Sequence, residues 1–396
     1  MAGITTKDDL LMNKIYLDNA STTYPKPQAV ADAMYDYIRN SGCTINRGCY
    51  SGAYAVEDMV FDTRQRLTKM FGGTSCKNLV FTKNITESLN TILKGLLKPG
   101  DHVIVSTMEH NAIMRPLTQL RQLGVEFSRV KCDPDGSIPE NEVVSRLSAC
   151  LLPNTRAVIM THASNVCGTI MPIRLIGEFC RDNGLFFIVD SAQTAGILPI
   201  NMKECNISAL CFTGHKGLLG PQGIGGFLLQ EGLSSKIEPL ISGGTGSISH
   251  TEDIPDFMPD RFEAGTPNLP GIFGMNASLK WLEDTGIANI HEHEMQLTEA
   301  FIHGLKLIPG IRILGKQTIN ERLGVVSIDI PSRDISQIAY RLDEEYGIMT
   351  RVGLHCAPNA HITLNTYPTG TIRFSFGFFN TLNDVDAALS ALQKLI

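Results

Sequence analysis

Short apolar runs alternate along this chain with longer stretches whose apolar positions recur every three or four residues. The runs NLVF (78–81), HVIVS (102–106), VEFSRV (125–130), RAVIMTH (156–162), LFFIVD (185–190), ALCFTG (209–214) and GGFLLQ (225–230) are rich in Val, Ile and Phe. Most are apolar throughout rather than at alternate positions, as strands covered on both faces must be. Between them, TESLNTILKGLL (86–97), NAIMRPLTQLRQLG (111–124), ENEVVSRLSACLL (140–152) and IRLIGEFCRDNG (173–184) carry helical spacing, and the last ends in an Asn-Gly stop. This alternation predicts a doubly wound α/β unit around a mostly parallel sheet.

After about Gly265 the pattern changes. Two helical stretches (272–286 and 288–308) precede strand-like GVVSIDI (324–330), helical ISQIAYRLDEEYG (335–347) and strand-like TIRFSFGFFNT (371–381). The expected organisation is a large ligand-binding domain over 15–265 and a smaller α+β domain over 266–396, joined by residues 1–14. No internal repeat or low-complexity linker interrupts it.

Composition narrows the function classes. Of 396 residues, 43% are hydrophobic and 19% charged, which suits a globular protein of two or three domains. The net charge is −6 with no long run of one sign, which argues against nucleic-acid partners or an anionic membrane surface. No apolar stretch is long enough to span a bilayer, and MAGITTKDDLLMNK lacks a signal-peptide pattern. The ten cysteines are scattered without a CxxC pair, so neither a metal site nor a disulfide framework is expected. Cys180 and Cys211 sit in apolar runs, where buried thiols are ordinary. A reducing, cytoplasmic setting follows.

In open parallel sheets, ligands bind beyond the carboxyl ends of the strands, so the polar residues there carry the candidate chemistry. Asp190 ends one run; it either caps the next helix or holds a protonated ring nitrogen. Another run ends in Thr213-Gly214-His215-Lys216, inside the glycine-rich FTGHKGLLGPQGIGG. Lys216 is either a solvated surface lysine or an amine whose burial keeps it neutral enough to attack a carbonyl. The glycines at 214, 217, 220, 223, 225 and 226 permit positive-φ turns and close backbone approach to a ligand. The loop is not a P-loop, since GxxxxGK[ST] is absent. Thr82 and Thr86 flank a helix start, where Thr86 is either an N-cap or a phosphate ligand. His110 is a structural histidine or a ring-stacking one, and Asn165 is a turn former or an amide donor to a ligand.

One cofactor accounts for these positions together: pyridoxal 5′-phosphate, an aldehyde on a phosphate-bearing pyridine ring. Lys216 would form the Schiff base, Asp190 would pair with the ring nitrogen, Thr86, Thr213 and His215 would hold the phosphate, and His110 would lie against the ring.

The motifs IYLDNAST, STMEHNA, ASNVCG, VDSAQTAG, TGHKGLLGPQGIGG, FEAGTPN and RVGLHCAP resemble, in this order, the class V branch of fold-type I pyridoxal-phosphate enzymes. Among these they are most similar to cysteine desulfurases and selenocysteine lyases of the sulfur-mobilising kind, from about Ile15 to the C-terminus. The resemblance implies the roles above for Lys216, His110, Asp190, Thr86, Thr213 and His215. It adds Gln193 as donor to the ring's phenolic oxygen and Asn165 with Arg373 as holders of the substrate carboxylate. It also implies that Thr266 reaches the cofactor phosphate of a partner subunit, hence a homodimer. Cys356, which on residue type alone passes equally for a structural thiol, is implied as the nucleophile taking sulfur from L-cysteine to form a persulfide and alanine, with a sulfur-acceptor protein downstream.

This sequence departs from the pattern at three places. Leu354 stands where a second histidine often precedes the cysteine, Arg47-Gly48-Cys49-Tyr50 lacks a frequent histidine, and Ile85 replaces a common threonine in the phosphate turn. Three rival readings remain. One is a selenocysteine lyase. Another is a class V aminotransferase, lyase or epimerase in which Cys356 is not catalytic. The third is a cofactor-binding scaffold or sulfur-relay protein. A nicotinamide oxidoreductase is disfavoured because no GxGxxG opens a helix after the first strand.

Overall fold

The computed structural model describes residues 14–46, 48–248, 250–331 and 333–396. The N-terminal stretch read for a signal pattern, apart from Lys14, and Arg47 of the Arg-Gly turn lie outside the described residues. The chain begins with β1 (Ile15–Tyr16), α1 (Gln28–Asp36) and α2 (Ser51–Met70). There follow β2 (Leu79–Thr82), α3 (Ile85–Leu96), β3 (His102–Ser106), α4 (Asn111–Arg121), β4 (Glu126–Val130), α5 (Val143–Ser148), β5 (Thr155–Thr161) and α6 (Ile173–Asp182). Then come β6 (Phe186–Asp190), β7 (Ala209–Thr213) and β8 (Gly225–Leu229).

These strands form a seven-stranded sheet in the order β2-β8-β7-β6-β5-β3-β4. β8 runs antiparallel to both neighbours and the other pairings are parallel. Alternate side chains explain the two-sided apolar pattern. Val80, Val103, Val105, Ile159, Ile188 and Phe227 face α3 and α4 in one core. Leu79, Phe81, Ile104, Val158, Val189 and Phe212 face the opposite core, which includes Val56, Val60 and Leu67 of α2. Each strand expected in this sheet forms within about a residue of its sequence bounds, whereas the stretch expected as strand over 371–381 is strand only over Thr371–Ser375. The helix expected over 140–152 is shorter, with a 3-10 turn at Glu140–Glu142 and α5 over Val143–Ser148.

The C-terminal part contains α7 (Leu269–Thr285), α8 (Ile287–Leu305), β9 (Arg312–Ile313), β10 (Val325–Asp329), α9 (Ile335–Tyr346), β11 (Ile348–Met349), β12 (Arg351–Gly353), α10 (Pro358–Thr363), β13 (Thr371–Ser375) and α11 (Leu382–Leu395). A four-stranded antiparallel sheet, β12-β13-β10-β9, packs on α8 and α11 through Phe301, Val326, Ile328, Ile372, Phe374 and Val385. Leu17 joins this core and β1 pairs with β11. Conversely, Leu269, Ile272, Met275 and Leu279 of α7 join the core of the large sheet. Both crossings lie on the far side of the division expected at 265/266.

Candidate functional site

The strand register gathers the candidate residues on one edge of the large sheet. Thr82 and Thr213 flank Gly225, and Asp190 is paired with Cys211 on one side and Thr161 on the other. Lys216 follows β7 by one turn. The loop carrying it closes on itself, with Gly214 N–H donating to Ile224 O and Gly220 N–H to Gly214 O. The six glycines act differently from the sequence expectation. Only Gly223 has positive φ, at 78°. Gly217 is required by protein packing rather than by a ligand: a Cβ there would sit 2.6 Å from the Ala195 carbonyl. That approach seats the lysine loop on the turn that follows Asp190.

Lys216 Nζ has no hydrogen-bond partner among the described residues. Burial lowers its pKa to about 8; Asp190 pulls it up, and Arg373 and Arg351 push it down. Asp190 is 2% exposed, and its Oδ1 accepts the Ala192 N–H at 2.9 Å; no helix lies between β6 and β7, so the helix-cap alternative is corrected to a contact within the following turn. Burial raises its pKa, opposed by that backbone hydrogen bond and by Lys216. His110 is the N-cap of α4, its Nδ1 accepting the Ala112 N–H at 3.0 Å. Burial, then Lys216, Arg115 and Arg373, lowers its pKa to about 4. The ring is therefore neutral near pH 7, with its proton on Nε2. Gln193 donates from Nε2 to Ala20 O at 3.1 Å.

Two buried polar atoms near Lys216 are orphaned: Thr213 Oγ1 and His215 Nδ1. Orphaned buried groups of this kind are uncommon, and their position fits an anion with several acceptor oxygens. The N-cap of α3 is Asn84, which accepts the Glu87 N–H at 3.0 Å; the N-cap alternative for Thr86 is thereby corrected. Thr86 lies exposed in the first turn of α3. Ile85 is buried and joins the α3–α4 core, so it offers the site nothing polar. Thr266 is exposed and lines a cleft of about 260 Å³ with Thr82, Lys83, Gly223 and Asn268.

Arg373, 2% exposed on β13, donates to Asn165 O at 3.0 Å, to Asp18 Oδ1 at 2.8 Å and to Ser21 Oγ at 2.6 Å. Its Nε is buried without a partner. Arg351 donates to the same Ser21 Oγ at 2.7 Å. Asn165 donates from Nδ2 to His355 O at 2.7 Å. Cys356 is exposed at the turn between β12 and α10. His355 and Cys356 both adopt left-handed backbone, with φ of 47° and 57°. The turn is fixed by the Asn111 N–H donating to Cys356 O at 2.8 Å and by the His355 ring against Thr371 Oγ1 at 2.9 Å. The half-buried Leu354 accepts the Ala357 N–H that closes it.

Sequence reasoning missed several contributors. Asp18 and Ser21 hold Arg373, yet the quoted DNAST turn had drawn attention only as a motif. Its last residue, Thr22, and the later Thr23 and Lys26 all donate to the His215 carbonyl, Lys26 Nζ at 2.7 Å. Glu109 is fully buried beside His110 and receives Ser106 Oγ at 2.5 Å and the Thr161 N–H at 2.9 Å, tying β3 to β5. A glutamate next to a histidine carries no sequence signal of burial. Among the described residues no cluster of three His, Cys, Asp or Glu is arranged to hold a metal. No helix there is long and apolar enough to cross a membrane.

Residues 15–388 match the family model for aminotransferase class-V. A probable cysteine desulfurase of Methanothermobacter thermautotrophicus is 34% identical over 392 residues, covering 98% of this chain and 96% of that one. The apo structure of a cysteine desulfurase from Thermococcus onnurineus superposes with a TM-score of 0.88 at 29% identity, covering 100% of this chain and 99% of the other. The Escherichia coli cysteine desulfurase CsdA, in an S-sulfonic acid form, gives 0.85 at 28% identity, covering 96% of this chain and 94% of the other.

Proposed function

This chain belongs to the aminotransferase class-V family, and from that premise we propose that it is a pyridoxal-phosphate-dependent cysteine desulfurase that converts L-cysteine to alanine and leaves the sulfur on Cys356. The observation that carries the reading is the pairing of a buried, unpartnered Lys216 with a thiol on a strained turn anchored to the Asn165–Arg373 pair. Strain held by surrounding hydrogen bonds is characteristic of functional turns.

Pyridoxal phosphate bound here supplies an aldehyde for amine capture and a ring that stores the electron pair released from Cα. Lys216 would hold the group and, with its amine free, would take the Cα proton as a neutral base. Its lowered pKa of about 8 favours that form. Asp190 would pair with the ring nitrogen, His110 would lie against the ring, and Gln193 would donate to the phenolic oxygen. Thr213 Oγ1 and His215 Nδ1, with Thr86, would take the phosphate; the lack of other partners for the first two supports this use. Arg373 Nε, also without a partner, and Asn165 receive the substrate carboxylate.

Cys356 thiolate attacks the substrate sulfur. The S–S bond forms, the Cβ–S bond breaks with its electron pair left on carbon, and protonation of Cβ together with return of a proton from Lys216 to Cα gives alanine. Thr266, on an exposed loop, would reach the phosphate of a second copy in a homodimer. Exposed Ile241 lines the same cleft as Thr266 and offers apolar surface for that contact. The absence of disulfides among the described residues fits a reducing, cytoplasmic setting, in which a sulfur-acceptor protein would collect the persulfide.

The test is incubation with cysteine followed by mass spectrometry. Added sulfur on Cys356 with one alanine per turnover is expected. Alanine without sulfur on Cys356, or sulfide release that persists in Cys356→Ser, would overturn the assignment.

A further inference from the structure

The backbone carbonyls of the Cys356 turn are all engaged. Leu354 O accepts the Ala357 N–H at 2.9 Å, His355 O accepts Asn165 Nδ2 at 2.7 Å, and Cys356 O accepts the Asn111 N–H at 2.8 Å. The two central residues, His355 and Cys356, both have positive φ, a pairing that glycine and asparagine adopt and other residues resist. Such a turn persists only where its surroundings over-determine it. The ring of His361, on α10, packs against that of His355, with centroids 5.5 Å apart and planes tilted by 43°. His361 is fully buried.

Packing alone does not call for a histidine here. Ala357, Ala360 and Leu364 of the same segment belong to an apolar core, and a buried ring nitrogen is costly unless it is used. His361 Nδ1 lies 2.7 Å from Thr366 Oγ1. The other acceptor within reach of that hydroxyl, His361 O, is farther away at 3.4 Å. Burial lowers the ring's pKa to about 4, opposed by a contact with the Leu354 carbonyl, so the ring is neutral near pH 7. With the Thr366 proton donated to Nδ1, the ring's own proton sits on Nε2. Nε2 is buried and makes no complete hydrogen bond. Since Nδ1 is engaged by Thr366, Nε2 is the nitrogen left for the Leu354 carbonyl. That oxygen has a second lone pair beside the one taken by the Ala357 N–H.

We propose that His361 is a positioning residue for sulfur transfer: its ring braces His355 and its Nε2–H steadies the Leu354 carbonyl, which together hold the Cys356 turn in its left-handed form and aim the thiol at the substrate sulfur. His361 touches no reacting atom and moves no proton. Without the brace, His355 and Cys356 relax toward the negative φ that L-residues prefer, and the Cys356 side chain swings with the backbone. The chemistry at Lys216, on a separate loop, does not depend on the brace. The inference rests on the reading of Cys356 as the sulfur-accepting thiol.

The experiment compares the holoenzyme with His361→Phe, which keeps a ring and loses the donor, and His361→Gln, whose amide can restore it. Two rates are read. Exchange of the Cα hydrogen of L-alanine for solvent deuterium reports Lys216 and needs no Cys356. Single-turnover persulfide formation, followed by mass spectrometry, reports the Cys356 turn. A parent that forms no persulfide overturns the functional reading and this inference with it, whereas a parent that forms it leaves only the inference at stake. H361F is expected to form persulfide roughly 100-fold more slowly, the scale of a misplacement near 1 Å, with alanine exchange unchanged. H361Q is expected to recover most of that loss. In the resting holoenzyme, the Ala357 N–H should exchange with deuterium faster in H361F than in the parent, as a loosened turn opens more often. Should H361F fail to fold, Thr366→Val, which removes the hydroxyl that orients the ring, takes its place, with the same split expected at smaller size. Persulfide formation at the parent rate, or a parallel fall in both rates, overturns the proposal.

Discussion

Asn165 donates its side-chain amide to the backbone carbonyl of His355 at 2.7 Å, and its own carbonyl receives Arg373 Nη1 at 3.0 Å. One residue thus touches both the arginine proposed to hold the substrate and the turn that presents Cys356. Asn165→Asp keeps the size and removes the donor. At saturating cysteine, single-turnover persulfide formation should fall roughly 100-fold, the scale of a misplacement near 1 Å, while the cofactor's visible absorbance persists. A variant that changes only KM would mean that Asn165 serves the carboxylate alone. Time-resolved mass spectrometry of Cys356 gives the rate.

The left-handed backbone at Cys356, φ 57°, opposes the ordinary preference of an L-residue. Glycine meets no such penalty but loses more freedom on folding. Cys356→Gly should therefore abolish sulfur transfer and yet leave the apoprotein as stable or about 1 kcal/mol more stable. Urea unfolding measures this. A clear loss of stability would show that the side chain contributes packing that outweighs the strain.

The lowered pKa of Lys216 predicts how the apoprotein captures its cofactor. The neutral amine attacks the aldehyde, so the capture rate should rise with pH and level off above about 8, well short of the ordinary lysine value of 10.5. Asp190 raises this pKa, so Asp190→Asn should move the midpoint to lower pH. Stopped-flow absorbance at several pH values reads both. A plateau absent below pH 10 would mean that the amine is solvated.

The edge of the large sheet was legible because buried parallel strands are apolar throughout, and their first polar residues, Asp190 and Thr213, mark where they end. α2 was not legible. Its buried face includes Thr63, Arg64 and Thr68, while Tyr54 and Phe61 face outward, so polarity and burial are decoupled along it. The glycines near Lys216 were visible, but their reason was not: Gly217 answers to the Ala195 carbonyl, a contact set by tertiary packing. The link from Asn165 to His355 likewise joins positions 190 residues apart, beyond the reach of local pattern.

Arg64 shows what that polar helix face accomplishes. Its guanidinium makes two contacts with Glu263, Nη1 to Oε1 at 2.9 Å and Nη2 to Oε2 at 2.5 Å, and also donates to Leu79 O. Glu263 in turn accepts the Phe81 N–H at 2.7 Å. The pair thereby joins α2 to β2 and to the segment leading to Thr266. Arg64→Met replaces the guanidinium with an apolar chain and leaves the largely buried Glu263 carboxylate with one backbone donor. Breaking a buried pair on one side costs about 3–5 kcal/mol, so the urea midpoint should drop sharply. Arg64→Met with Glu263→Gln removes both charges and should recover much of that loss, because the cost of the single variant lies in the stranded carboxylate. If the double variant is no more stable than the single one, the pair's contribution is steric rather than electrostatic.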